Sequence, residues 1–209
     1  MSGGPIHEGL FYPNRWVRII LETTEDIVGE KGMNALLNLA GLSNYVGNYP
    51  PDDMKKEVSF ADVGKLQDAY WQMYGDRGAR AFAIRSGAKT FNDGLERFGK
   101  VAAAARAALK IASVDTRISK GLAFFAQFFN TVSDQKVQVT EDDQNWYWHI
   151  VDCPMCAGRT SDKPVCHLAV GVLQAAMANF VDKETRYVIT QTQCQSMGHD
   201  ECLFQIEKQ

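Results

Sequence analysis

The hydrophobic pattern of the chain changes period near residue 135, which separates a helical part from a part that predicts strands. Before residue 135, apolar residues recur at helical spacing in several stretches, the first of which starts around Val17. Gly29 and Gly32 bracket one interruption of these stretches and Gly75-Asp76 marks another, which predicts breaks between helices. The stretch that begins at Asp115 and ends at Val132 is apolar around more than half of its circumference. Such a helix is expected to be buried on two sides.

Alternation with a period of two takes over after residue 135. Residues 136–140 and 146–151 alternate, and residues 142–145 between them carry the Asp and Asn of a turn. A helical pattern follows Pro164, and strand-forming residues return in 187–194 and from Cys202. Helices followed by strand–strand–helix–strand–strand predict an α+β fold with a mainly antiparallel sheet. We predict one domain over residues 1–209, with a helical half (1–135) and an α/β half (136–209).

Three local features refine the helical half. Ser59, followed by Asp62, resembles a capping box and predicts the start of a helix. Residues 43–57 are poorly patterned and predict a long loop, either a binding loop or a surface crossover. The Ala-rich run 101–112 has strong helix propensity.

Composition and charge exclude some function classes. The chain has 209 residues and a formal charge of −3, with no basic block, so nucleic acid is not an expected partner. No apolar stretch is long enough to span a membrane. The first residues lack the pattern of a signal peptide, and five cysteines are an odd number for a disulfide framework. We therefore expect a reducing, cytoplasmic environment.

All the cysteines lie in the last third of the chain. They are Cys153, Cys156, Cys166, Cys194 and Cys202. Such a group indicates a metal site, a redox site or buried packing residues. Cys153 and Cys156 enclose a Pro-Met pair, the spacing of a dithiol redox motif, but this pair opens a loop and not a helix. The concentration of five thiols favours metal ligation.

Predicted positions in the fold bring three of the thiols together. Cys166 opens a helix, whose N-terminus favours the thiolate, while Cys194 ends one strand and Cys202 begins the next. We expect these three to supply three of the four ligands of a tetrahedral zinc site. The fourth ligand is Cys156 or Cys153, with His167, His199 and Gln191 as less favoured donors. Four cysteines are equally the ligand set of an iron–sulfur cluster.

Two segments resemble a known family. Cys166-His-Leu-Ala-Val-Gly171, and then Gln191, Cys194, Gly198, Cys202 and Phe204 at their spacing, resemble the 4-vinyl reductase, or hydrocarbon-binding, domain family. That family includes the aromatic-sensing domains of phenol-responsive transcription activators. The resemblance covers roughly residues 137–207.

The resemblance implies a helical half on an α/β half, as in haem–NO-binding-like and trafficking-particle folds. It also implies zinc held by Cys166, Cys194 and Cys202, with a glutamate as the fourth ligand. Gln191 stands at the position of that glutamate, and it is a poorer ligand. We therefore expect Cys156 to be the fourth ligand and Cys153 to be its alternative.

The resemblance further implies an apolar ligand pocket beside the metal. We expect its lining to come from the aromatic helix and the first hairpin: Phe124, Phe125, Phe128 and Phe129 with Trp146, Trp148 and His149. Aromatic residues at regular spacing are also what an ordinary core contains. A pocket of this kind is apolar, with a few polar groups that orient the ligand.

Three functions follow as hypotheses. The first is a module, sensor or carrier, that binds a small hydrophobic or aromatic molecule and is buttressed by structural zinc. The second is a role in tetrapyrrole vinyl reduction, as an enzyme or accessory protein with an iron–sulfur cluster, although no nucleotide-binding motif is found. The third is an assembly scaffold. A homodimer is expected in any of these roles.

Overall fold

The N-terminal part of the protein is helical, as its apolar spacing predicts. The structure is a computed structural model that describes residues 4–5, 7–99, 112–180 and 185–209. Its longer helices are α1 (Asn14–Leu39), α2 (Phe60–Arg97), α3 (Val114–Val132) and α4 (His167–Phe180). Of the Ala-rich run 101–112, over which a helix is predicted, residues 101–111 lie outside the described residues.

Both predicted breaks lie at glycines with positive φ. Gly29 has φ 75° inside α1, and Gly75 has φ 63° inside α2, so each helix is bent into two segments. Ser59 caps α2 by accepting a hydrogen bond from the backbone N–H of Asp62, as predicted. The cap of α3 is Ser113, and Asp115 lies in its first turn.

The C-terminal part forms one antiparallel sheet. Its strands are β3 (Val137–Glu141), β4 (Asn145–Ile150), β5 (Ile189–Gln193) and β6 (Cys202–Glu207), in the order β3-β4-β6-β5. Trp146, Trp148 and Ile150 alternate onto the buried face, where Trp148 packs against Phe125 of α3 at a ring distance of 5.4 Å. The predicted α+β fold class with an antiparallel sheet is confirmed.

A second, two-stranded sheet was not predicted. It pairs β1 (Phe11–Pro13) with β2 (Lys56–Ser59) in antiparallel register. β2 overlaps the end of the stretch predicted as a loop. Strands of three and four residues are too short to show a recognisable alternation of apolar and polar residues in the sequence.

Glycines bring α2 close to the segments that carry the cysteines. A Cβ atom on Gly87 of α2 would lie 2.0 Å from the carbonyl oxygen of Leu168, and one on Gly171 of α4 would lie 2.0 Å from that of Ile84. A Cβ atom on Gly64 would lie 2.1 Å from the carbonyl oxygen of Ala157. Helix α2 therefore packs backbone to backbone against α4 and against the loop after Cys156.

Among the described residues, no helix is long and apolar enough to cross a membrane.

Candidate metal centre and ligand cavity

The five cysteines converge although they are far apart in sequence. Antiparallel pairing of β4 with β6 places Ile150 opposite Cys202, and hence beside the loop that carries Cys153 and Cys156. Cys166 immediately precedes α4, and Cys194 follows β5, the neighbour of β6. All five side chains are fully buried and none forms a disulfide. We call this group the cysteine cluster.

The sulfur–sulfur distances match those around one metal ion. Cys156 Sγ lies 3.2 Å from Cys166, 3.4 Å from Cys202 and 3.5 Å from Cys194. Cys166 Sγ lies 3.6 Å from Cys153, 3.7 Å from Cys202 and 3.9 Å from Cys194. Four sulfurs at about 2.3 Å from a tetrahedral zinc are about 3.8 Å apart, whereas a disulfide requires about 2.0 Å.

The choice of the fourth ligand is between two thiols. Sγ atoms of Cys153, Cys156, Cys166 and Cys202 all lie within 4.8 Å of one another. Cys194, which the sequence places in the ligand set, contacts Cys156 and Cys166 at the distances above. Cys156, Cys166 and Cys202 are thus common to both possible sets, and Cys153 or Cys194 completes the four.

The thiols influence each other's protonation. Burial raises the pKa of the Cys153 and Cys166 thiols. By contrast, S–H donors from Cys153, and then from the other three cysteines, hold the pKa of Cys156 below its ordinary value. The arrangement therefore favours a thiolate at Cys156, and a metal cation would balance that charge.

Two glutamines fix the backbone around the cluster. Gln191 accepts a hydrogen bond at Oε1 from the backbone N–H of Cys166 (3.1 Å). Gln195 accepts one from the backbone N–H of Cys153 (2.9 Å) and donates through Nε2 to the carbonyl oxygen of Val151 (2.7 Å). The backbone N–H of Gln195 also points at Cys202 Sγ (3.4 Å). Gln191 therefore orients a cysteine, and sequence reasoning missed Gln195, which lies in a predicted turn without a motif of its own.

Neither histidine considered as a donor contacts a thiol. The ring of His167 stacks on Trp71 with 5.7 Å between ring centroids. Its pKa is lowered to about 4, first by burial and then by the charges of Arg80 and Arg159. Nδ1 of His199 lies 3.3 Å from the backbone nitrogen of Cys194. Both rings are therefore engaged outside the cluster.

An apolar cavity adjoins the cluster. Its volume is about 30 Å³, and we call it the inner cavity. It is lined by Tyr12, Trp16, Phe129, Gln135, Trp148, Ile150, Met155, Leu168, Ala169, Val172 and Leu173. Tyr12 donates its hydroxyl to Gln135 Oε1 at 2.5 Å, and these two side chains are the polar part of the wall.

Of the residues predicted for the pocket, Trp148 and Phe129 reach the inner cavity. Phe125 lies behind Trp148, and Phe128 packs on Phe98 at 5.0 Å between rings. Phe124 is 40% exposed on the outer side of α3, so its prediction as a lining residue does not match the structure.

The other two predicted residues also lie elsewhere. Trp146 is buried, and its Nε1 donates to Ser119 Oγ at 2.9 Å. His149 lies on the face of β4 opposite to Trp146 and Trp148. Its ring nitrogens contact Glu201 (2.8 Å) and Thr140 (2.9 Å). Tyr12 and Trp16, which do line the cavity, come from β1 and α1 and carried no signal in the sequence.

The fold is similar to that of H-NOX proteins. A crystal structure of an H-NOX protein from S. oneidensis in the Fe(II)NO ligation state has a TM-score of 0.54 and 16% identity, with 92% of this chain and 99% of that chain covered. A Cs H-NOX mutant carrying 4-cyano-L-phenylalanine has a TM-score of 0.58 and 9% identity, with 93% and 94% covered. Identities this low show a shared fold.

Haem does not fit the inner cavity. Another similar structure comes from work on heme redox potential and porphyrin distortion (TM-score 0.56, 8% identity, covering 93% of this chain and 98% of that chain). The inner cavity, at about 30 Å³, is far below the roughly 300–1,000 Å³ of pockets for drug-sized ligands. Among the described residues its lining contains neither histidine nor cysteine, and the hydroxyl of its tyrosine, Tyr12, is bonded to Gln135.

The family match lies in the part of the chain that carries the cluster. A search among curated proteins found no significant match. The family model of the 4-vinyl reductase domain matches residues 146–208, which include all five cysteines. The resemblance seen in the sequence is thereby confirmed: residues 146–208 match the family model of this domain, and the fold of the chain is similar to that of H-NOX proteins.

Proposed function

We propose that this protein is a sensor or carrier module that binds a small hydrophobic or aromatic molecule in the inner cavity. In this proposal, one zinc ion bound by four cysteines fastens the sheet to α4. The observation that carries it is that the same short segments supply both sites. Met155 lines the cavity next to Cys156, and Leu168 lines it two residues after Cys166.

Zinc fits the donors better than a cluster of irons does. An iron–sulfur cluster places several irons and sulfides between its thiolates, which separates them more widely than a single ion does. Sulfur–sulfur distances of 3.2–3.9 Å support one ion. Four protein ligands leave no open position for a substrate, so the ion would be structural. The same distances speak against the iron–sulfur centre that a role in vinyl reduction would require.

The size of the inner cavity supports a sensor more than a permanent carrier. About 30 Å³ is space for one or two water molecules. An aromatic ligand therefore has to open the cavity as it binds. A ligand that binds the open form shifts the protein towards that form, which is how binding becomes a conformational signal.

The remaining expectations belong to the same proposal. Reduced thiols are needed for metal binding and persist in the cytoplasm, where we place the protein. We further propose that it acts as a homodimer, which sedimentation of the intact protein tests directly.

Elemental analysis and an absorption spectrum test the metal. Protein purified without oxygen should contain about one zinc per chain and show no visible colour. Iron together with acid-labile sulfide would overturn the zinc proposal and favour the redox alternative. Protein without any bound metal would overturn both.

Ligand binding is tested by enlarging the inner cavity. Leu173→Ala should bind indole more tightly than the wild type does, because part of the space is already open. Leu36→Ala removes the same atoms from a buried position of α1 that does not line the cavity, so it should leave affinity unchanged. Binding is measured by the rise in thermal midpoint with indole concentration. If indole raised the thermal midpoint of neither the wild type nor the Leu173→Ala variant, the proposed ligand site would be refuted.

A further inference from the structure

A second recess lies on the other side of α4, and we call it the outer cleft. Its volume is about 480 Å³, within the range of small-molecule sites. Helix α2, the stretch before α4, α4 itself and β5 form its walls. Its lining includes the side chains of Trp71, Arg77, Arg80, Lys163, His167 and Gln191.

Positive charge predominates in the outer cleft. Arg77 and Arg80 are exposed, and neither side chain forms a hydrogen bond or ion pair with any residue that the structure describes. Lys163 pairs with Asp76, the one carboxylate among the lining residues. Two guanidinium groups therefore remain for a ligand. A concave surface lined by one sign of charge concentrates ligands of the other sign.

A stacked pair of aromatic rings stands beside these charges. The rings of Trp71 and His167 are stacked, with 5.7 Å between centroids and 18° between planes. Arg159 lies 4.8 Å from the Trp71 ring and donates to the carbonyl oxygen of Met155 at 3.0 Å. Arg159 is only 7% exposed, so this buried contact holds the tryptophan in place.

We propose that the outer cleft binds an aromatic carboxylate, with the carboxylate on Arg77 and Arg80 and the ring against Trp71 and His167. Guanidinium groups bind carboxylates through paired hydrogen bonds, and an aromatic ring packs well against the edges of a stacked pair of rings. Ile84, Val170 and Ile189 supply the apolar contacts around it. The inner cavity offers no charged side chain, so the two sites differ in ligand class.

Two residues that line the outer cleft connect a bound ligand with the cysteine cluster. Gln191 lines the cleft while its Oε1 accepts the hydrogen bond from the Cys166 backbone. His167 follows Cys166 directly at the start of α4. A ligand in the cleft therefore contacts two residues that are attached to the cluster.

Calorimetric titration of the intact, metal-bearing protein with 2-naphthoate tests the inference. Uncharged 2-naphthol serves as the matched ligand without a carboxylate. Naphthoate should bind, and naphthol should bind at least tenfold more weakly. The double variant Arg77→Gln/Arg80→Gln should lose at least tenfold in naphthoate affinity. Arg85→Gln, an exposed arginine of the same helix that does not line the cleft, should bind as the wild type does.

Three outcomes would overturn the inference. They are no heat of binding with naphthoate, equal binding of naphthoate and naphthol, or unchanged affinity in the double variant. Thermal midpoints of the variants verify that they are folded, and the comparison of the two ligands needs only the wild type. Metal content and indole binding are measured separately, so failure here is distinguishable from failure of the proposed function.

Discussion

Five thiols compete for four positions around the proposed metal, and this predicts an unusual pattern in a cysteine-to-serine series. Cys166 Sγ is within 3.9 Å of each of the other four sulfurs, so it belongs to either ligand set. Cys153 and Cys194 are the alternatives for the last position. Each should replace the other when one is removed.

The size of the effect follows from the energy of a structural zinc site. Apparent binding free energies of about 10–16 kcal/mol, shared among four thiolates, give about 3 kcal/mol per thiolate, or about a hundredfold in affinity. Cys166→Ser should therefore weaken zinc binding about a hundredfold or more. Cys153→Ser and Cys194→Ser should each cost less than about tenfold, because the remaining thiol fills the position. The double variant should lose as much as Cys166→Ser.

Competition with a chromophoric chelator measures these affinities. The charge-transfer band of the cobalt-substituted protein reports the number of thiolates, which should stay at four in each single variant of Cys153 and Cys194. Ser196→Ala is the matched control, since Ser196 is buried in the turn between Cys194 and Cys202 and its Oγ has no partner among the described residues. It should bind zinc as the wild type does.

Two results would refute this reasoning. If Cys166→Ser kept the wild-type affinity, the cluster would not be the metal site. If both single variants, Cys153→Ser and Cys194→Ser, lost a hundredfold, the two thiols would not be interchangeable.

Three further predictions concern the surroundings of the cluster. Gly87→Ala should lower the free energy of unfolding by about 1–3 kcal/mol, because its Cβ would meet the Leu168 carbonyl at 2.0 Å; Gly99→Ala, whose Cβ would meet no atom of the described residues within 4 Å, should not, and equal urea midpoints of the two variants would contradict this. Gln191→Ala should weaken zinc binding by about 10–100-fold, because the Cys166 N–H loses its acceptor; an unchanged chelator titration would disprove it. Removal of the metal should lower the thermal midpoint, and zinc should restore it, since an ion that binds only the folded state stabilises it; an unchanged midpoint would count against a structural ion.

The spacing of apolar residues and the positions of glycines predicted the buried face of β4 and the breaks in the helices. The alternation of Trp146, Trp148 and Ile150 fixed which face of β4 is buried, because side chains along a strand alternate strictly. Gly29 and Gly75 marked the helix breaks because their positive φ is costly for other residues. The cysteines signalled a site because thiols concentrated in one segment point to ligation, whichever elements carry them.

The cavity was harder to predict because its walls come from elements whose packing no local pattern records. Phe124 and Phe125 are neighbours on α3, yet one is exposed and the other is buried behind Trp148. Tyr12 reaches the cavity from β1, whose pairing with β2 joins residues more than forty positions apart. A stripe of aromatic residues marks the buried side of a helix, but not which of them borders empty space.

The start of α4 connects the three sites at successive residues. Cys166 belongs to the cysteine cluster, His167 lines the outer cleft and Leu168 lines the inner cavity. Gly87 and Gly171 leave no space between α2 and α4, so the first turn of α4 can move along or away from α2 but not towards it. A ligand that displaces this turn from either side therefore changes the position of Cys166 Sγ. Because coupling between sites is reciprocal, such a ligand must alter zinc affinity by the same factor as zinc alters the affinity for the ligand. Zinc titrations with and without indole or 2-naphthoate measure that factor for each site.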